Sequence, residues 1–146
     1  MILQTARLLV TTGHVVGRDG DCFIGHIGGD DFIFVVPLEQ VNAICTEILA
    51  VFDTLIPLQY NDQDRRAGYF FGKDRRGQLH RVPLMTLSIG IVTNRSRKFT
   101  HPAQVSELAT EMKSYAKTLP GSVFVVDRRQ QTDSDDPGDR RPGAAR

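Results

Sequence analysis

The stretch Cys22-Phe-Ile-Gly-His-Ile-Gly-Gly-Asp-Asp-Phe-Ile-Phe-Val-Val36 decides how the chain is read. Cys22–Ile27 is strand-like, and Phe32–Val36 is a second strand rich in β-branched and aromatic residues. The four residues between them, Gly28-Gly29-Asp30-Asp31, predict a tight hairpin turn. Two glycines at such a tip permit positive φ and leave no side chain above the turn, so a phosphate can approach the backbone closely. Two carboxylates follow at the start of the second strand. Successive strand residues point to opposite faces, so one Asp is expected to face a site and the other the opposite side or the backbone. A carboxylate beside a glycine tip suits a Mg²⁺–phosphate site, because Mg²⁺ takes hard oxygen ligands and shares them with phosphates. An ordinary hairpin turn uses the same residue types, so the tetrapeptide alone leaves both readings open.

Working outward, Ile2, Leu3, Ala6, Leu9 and Val10 fall at helical spacing and predict an amphipathic helix over residues 2–12, weakened by Gly13 and Gly17. Gly17-Arg-Asp-Gly-Asp21 is a turn cluster. After the hairpin, Pro37 opens a helix whose apolar residues are Val41, Ile44, Cys45, Ile48 and Val51/Phe52, ending near Pro57. Residues 59–82 are polar. Within them Tyr69-Phe-Phe71 and Leu79-His-Arg-Val82 flank Lys73-Asp-Arg-Arg-Gly77, which predicts a hairpin with a charged tip. Residues 83–93 read as one long buried strand. Thr100 and His101-Pro102 mark the start of a helix lined by Val105, Leu108, Ala109, Met112 and Ala116, stopped by Pro120-Gly121. Ser122–Val126 is the last strand, and residues 128–146 read as a disordered tail. This order of elements belongs to the α+β or α/β classes.

The chain has 146 residues, enough for one domain, and a net charge of +1, which supplies no strong overall field toward nucleic acid or an anionic membrane. Cys22 and Cys45 are too few for a disulfide framework and have no zinc spacing. No stretch is read as the roughly 20 apolar residues of a membrane span. A cytoplasmic protein with neither nucleic-acid nor membrane partners is expected. The basic clusters Arg65-Arg66, Arg75-Arg76, Arg95-Ser-Arg-Lys98 and Arg128-Arg129 are read as solvated loop ends.

Three motifs then stand in order. The hairpin Ile24–Pro37 resembles that of GGDEF domains, the diguanylate cyclase family. Met85-Thr-Leu-Ser-Ile-Gly-Ile91 resembles the family strand that ends in Ser-Ile-Gly, and Ala109-Thr-Glu-Met-Lys-Ser-Tyr-Ala-Lys117 resembles the family helix ending in Ala-Lys. The resemblance covers residues 1–127, with 59–82 as a charged hairpin insertion. It implies an α+β, palm-like fold: an antiparallel-rich mixed sheet with flanking helices. It also implies an activity: two domains meet as a homodimer, each holding GTP, and two GTP condense into cyclic di-GMP with release of pyrophosphate. By the same resemblance Asp30 is the catalytic residue and a metal ligand, Asp31 is a second Mg²⁺ ligand standing where the family has Glu, and Gly28, Gly29 and Lys117 bind phosphate. Lys117 reads equally as a solvated lysine at a helix C-terminus.

The sequence departs from the family as well. Only 27 residues precede Gly28, and their only acids are Asp19 and Asp21, so the family's first strand and helix, its other metal carboxylate and its guanine-reading residues have no counterpart. Strands that neighbour the missing one are expected to expose edges and apolar faces. Gly121 replaces the arginine that follows the family lysine. Arg18-Asp-Gly-Asp21 has the residues of the family's inhibitory cyclic di-GMP site, with Arg18 and Asp21 as the candidates. Six residues separate Asp21 from Gly28 where the family has one fewer, which in a strand reverses the facing of side chains. His26 reads as a strand residue rather than a ligand. The expectation is a GGDEF-type domain whose isolated chain is inactive. A catalytically degenerate module binding GTP, cyclic di-GMP or protein is the alternative, and a palm domain that forms other cyclic oligonucleotides is a third.

Overall fold

The computed structural model describes residues 22–129. The helix expected over 2–12, the Arg18–Asp21 cluster and the tail from residue 130 lie outside the described residues. In chain order the elements are β1 (Phe23–Gly28), β2 (Asp31–Val35), α1 (Val41–Leu55), α2 (Asp62–Ala67), β3 (Tyr69–Lys73), β4 (Leu79–Pro83), β5 (Ser88–Ile91), α3 (Pro102–Ala116) and β6 (Val123–Val126). Short 3₁₀ turns at Leu38–Gln40 and Ile56–Gln59 bracket α1. The class is α+β. The strands do not join into one mixed sheet as expected: they form three separate pairs, β1–β2 and β3–β4 antiparallel and β5–β6 parallel.

The apolar spacing of α1 explains why two of these pairs share one core. Ile44, Ile48 and Phe52 recur every four residues with Cys45 beside Ile44 and three before Ile48, so they fall on one face, and all four are buried. Burial of side chains this size stabilises the fold by about 1.5–3 kcal/mol each. Ile89 and Ile91 of β5 join Ile44, Cys45 and Ile48 in the core, and Ile24, Phe32, Phe34, Phe124 and Val126 pack around them. Helix α1 therefore supports both the β1–β2 hairpin and the β5–β6 pair. Burial pushes the Cys45 thiol up to about 11. By length and composition the run Leu38–Gln59 is also long enough to cross a membrane, which the sequence reading did not anticipate. Its apolar face lies against strands of the same chain, as in the core helix of a folded domain.

Helix α3 lies on β5 and β6. His101 caps it: the Ala103 N–H donates to its Nδ1 at 3.1 Å, and Gln104 Oε1 reaches back to the backbone of Thr100 and His101. At the other end Arg129 from the segment after β6 clamps Glu111 through two bonds of 2.9 and 3.0 Å.

Several expectations change. The long strand expected over 83–93 is not continuous: Pro83 ends β4, and the next strand is only Ser88–Ile91, which pairs with the short β6. Residues 62–67, read as part of a polar loop, form α2, whose Asn61 cap accepts the Asp64 N–H at 2.8 Å. The expected charged hairpin is present as β3–β4, and Gly68 in the left-handed region ends α2 just before it.

Candidate functional site

The first hairpin places its turn one residue tighter than expected at each end. Gly28 pairs with Asp31, leaving Gly29 and Asp30 as the two turn residues. The register slips between His26 and Gly28, so Ile27 is an extra, bulged residue. Gly28 has φ 151° and Gly29 φ 56°, conformations that L side chains rarely adopt, and a Cβ built at either would meet no atom within 4 Å. The tip is thus open backbone, as the two glycines suggested.

His26 fixes this tip. Its Nε2–H donates to the Gly29 carbonyl at 3.0 Å, and its ring stacks on the cross-strand Phe32 at 4.7 Å. It is a strand residue, as read, but one that holds the turn.

The two aspartates separate, but not by strand alternation as expected, because Asp30 lies in the turn and only Asp31 in β2. Asp31 lies on the outer face of β2 with Ile33 and Val35, where it forms an ion pair with Lys113 of α3. That contact holds its carboxyl below the usual carboxylate range, chiefly through the Lys113 hydrogen bond and charge, with Lys117 adding a smaller Coulombic effect. Asp30 stands exposed in the turn and has no side-chain partner among the described residues. Lys117 is the exposed C-cap of α3, near enough to act on Asp31 but not its direct partner.

Lys113 joins the candidate site without having been singled out from the sequence. Its signal was present, since it lies one helical turn before Lys117 and so shares its face. What brings it to the hairpin is Gly90 of β5. A Cβ at Gly90 would lie 2.4 Å from the Lys113 backbone nitrogen and 2.9 Å from the Ala109 carbonyl oxygen. Only glycine lets α3 settle this close to β5, and that seat carries Lys113 to Asp31. The Ser-Ile-Gly motif therefore contributes to the site through backbone contact alone.

The assembled site is an open glycine turn, one free carboxylate, and one carboxylate bridged to a lysine with a second lysine nearby. Such a site offers bare backbone to an anion, with Lys117 close by and Lys113 engaged by Asp31, so its two lysines are already offset by two carboxylates. Among the described residues no three His, Cys, Asp or Glu side chains gather as a metal cluster. Comparisons of the chain with family models, with curated proteins and with solved structures returned no match.

Proposed function

We propose that this chain is a GGDEF-type domain of cyclic di-GMP signalling, and that alone it holds the phosphates of a guanine nucleotide at the Gly28–Asp31 turn without turning GTP over. The observation that carries this reading is an open, positive-φ Gly28-Gly29 tip next to Asp31, whose carboxylate is engaged by Lys113 of α3 with Lys117 close by. Bare backbone admits a phosphate, and Lys117, joined by Lys113 once it leaves Asp31, would offset its charge. A palm-like arrangement belongs to the same proposal. Strands β2 and β5 lie against the same helix α1, and among the described residues each has one strand partner, so a further strand between them would complete a sheet.

Mg²⁺ commonly uses one or two carboxylates together with substrate phosphates. Asp30 fits that role as an open carboxylate at the tip, whereas Asp31 fits only after Lys113 releases it. When bound, the ion would withdraw charge from the α-phosphate under attack. In the condensation, the 3′-hydroxyl of one GTP attacks the α-phosphate of a second, pyrophosphate leaves, and the step repeats with the roles exchanged. In this reading Asp30 would accept the hydroxyl proton, and the two nucleotides would come from two copies meeting tip to tip. The engagement of Asp31 by Lys113 favours the binding-only form of this reading for the isolated chain.

The test is calorimetric titration of the 146-residue protein with GTP and with cyclic di-GMP in Mg²⁺, beside mass spectrometry of the incubated mixture. Binding is expected to weaken about tenfold or more in Lys113→Met/Lys117→Met. No cyclic di-GMP is expected from the chain alone. Turnover that vanishes in Asp30→Ala would replace the binding-only form with an active cyclase. A preference for ATP would favour the other cyclic-oligonucleotide chemistry. Absence of any nucleotide binding rejects the proposal.

A further inference from the structure

The β3–β4 ribbon is the second surface on which apolar and charged residues converge. Its register pairs Tyr69 with Pro83, Phe71 with Arg81 and Lys73 with Leu79, so these six residues share one face. Phe71 and Leu79 are 60% and 62% exposed on that face. The opposite face carries Phe70, Gly72 and Val82, with Phe70 against Tyr60 at 5.7 Å, and it is this side that meets the rest of the chain. The ribbon is anchored at its base, where the Leu84 N–H donates to the Gly68 carbonyl at 3.2 Å and the Met85 N–H to the Tyr60 hydroxyl at 3.2 Å. Its outward face is left with an apolar pair that nothing in the described residues covers.

Charge decides what fits there. Lys73, Arg75, Arg76 and Arg81 are exposed, and none pairs with a carboxylate among the described residues. The only acid in the ribbon, Asp74, is spent on the turn. Its Oδ1 accepts the N–H groups of Arg76 and Gln78 at 2.8 and 2.9 Å, and its Oδ2 meets His80 at 3.1 Å. Four cations against one engaged carboxylate give a strongly positive patch on a chain whose net charge is only +1. The average over the whole sequence concealed it. The arrangement is an exposed Phe–Leu pair ringed by Lys and Arg, which is the pattern of an interfacial anchor: apolar groups enter the headgroup–acyl boundary and cations sit among anionic headgroups.

Single-stranded nucleic acid fits less well. Base stacking needs open ring faces, and Tyr69 has Arg81 over its ring at 5.0 Å and Phe71 edge-on at 5.7 Å. We propose that the β3–β4 ribbon is a peripheral docking surface for an anionic lipid bilayer, with Phe71 and Leu79 inserted and Lys73, Arg75, Arg76 and Arg81 on the headgroups.

Co-sedimentation of the 146-residue protein with phosphatidylcholine vesicles, with and without phosphatidylserine, tests this. Binding is expected only when phosphatidylserine is present, and it should fall steeply between about 0.1 M and about 1 M salt. Arg75→Glu/Arg76→Glu should lower the partition coefficient by about tenfold or more. Phe71→Ser/Leu79→Ser, which leaves charge unchanged, should lower it by about tenfold. Both pairs are surface changes, and an unaltered circular dichroism spectrum checks the fold. Arg95→Glu/Arg128→Glu makes the same charge change away from the ribbon and should leave most of the binding. The proposal is overturned if vesicles are not bound, if this control pair lowers binding as much as the ribbon pair, or if loss of Phe71 and Leu79 has no effect. It is also overturned if an oligonucleotide or an acidic protein takes the ribbon in preference to vesicles.

Discussion

The two antiparallel hairpins of this chain have similar topology and different fates. In β1–β2, one face is partly buried against the core through Ile24, Phe32 and Phe34, and Asp31 beside the open tip is met by Lys113 of a third element. In β3–β4, the inner face rests on little more than Tyr60 and α2, and the tip stands in solvent with its own turn bonds. A hairpin alone fixes only which side chains share a face. It becomes a candidate site for chemistry when another element reaches the strand end beside its tip, and a candidate surface for docking when none does.

The largest expected difference between the regions is in stability. Ile48 is 2% exposed in the core beneath the first hairpin, so Ile48→Ala should cost about 2–5 kcal/mol through lost transfer energy and a residual cavity. Leu79→Ala on the outer face of the ribbon should change stability by less than about 0.5 kcal/mol. Urea denaturation of the two variants measures both. Equal losses would mean that the ribbon's outer face is covered in solution, and the contrast between the hairpins would fail.

A smaller contrast compares two glycines. Gly90→Ala places a Cβ against backbone atoms of α3, which cannot move without shifting the helix, and overpacking of this kind costs about 1–3 kcal/mol. Gly72→Ala in the ribbon would meet Val82 Cγ2 at 3.1 Å, the end of a side chain that can turn aside. Its effect should be well below that of Gly90→Ala in the same denaturation assay. Gly90→Ala should also separate Lys113 from Asp31, read as a carboxyl titration that returns toward the ordinary Asp range by NMR.

What the sequence disclosed follows from which features are local. The hairpin pattern, the face of α1 and the His101-Pro102 helix start depend on spacing within a few residues, and all are present. The register was missed by one residue because the bulge at Ile27 is a property of the pair and leaves no mark in either strand alone. Strand length at β5 was overestimated because an apolar run shows burial and not how many partners it will find. Gly28 and Gly29 were legible as open backbone. Lys113 was not, because its role depends on the approach of α3 to Gly90, a contact between segments far apart in sequence.

The smallest effect is the most specific to the first hairpin. Lys113 holds the folded-state pKa of Asp31 below its unfolded value. A group depressed in this way stabilises the fold above its unfolded pKa, and that contribution is lost as pH falls through the folded value. The stability gap between the wild type and Lys113→Met should therefore be present at neutral pH and close on acidification below the ordinary Asp range. The pair is partly exposed, so the gap should be small and should shrink in high salt. Denaturation midpoints for both proteins across this pH range measure it. The ribbon has a depressed carboxyl of its own: Asp74 is lowered first by the Gln78 N–H and then by His80. Its largest cause is a neutral backbone donor, so the stability gap between wild type and Asp74→Asn should shrink less in high salt than the gap between wild type and Lys113→Met. Gaps that shrink equally would mean that both turns are held by charge, and would remove the distinction between a strand end held by a lysine and a tip held by its own backbone.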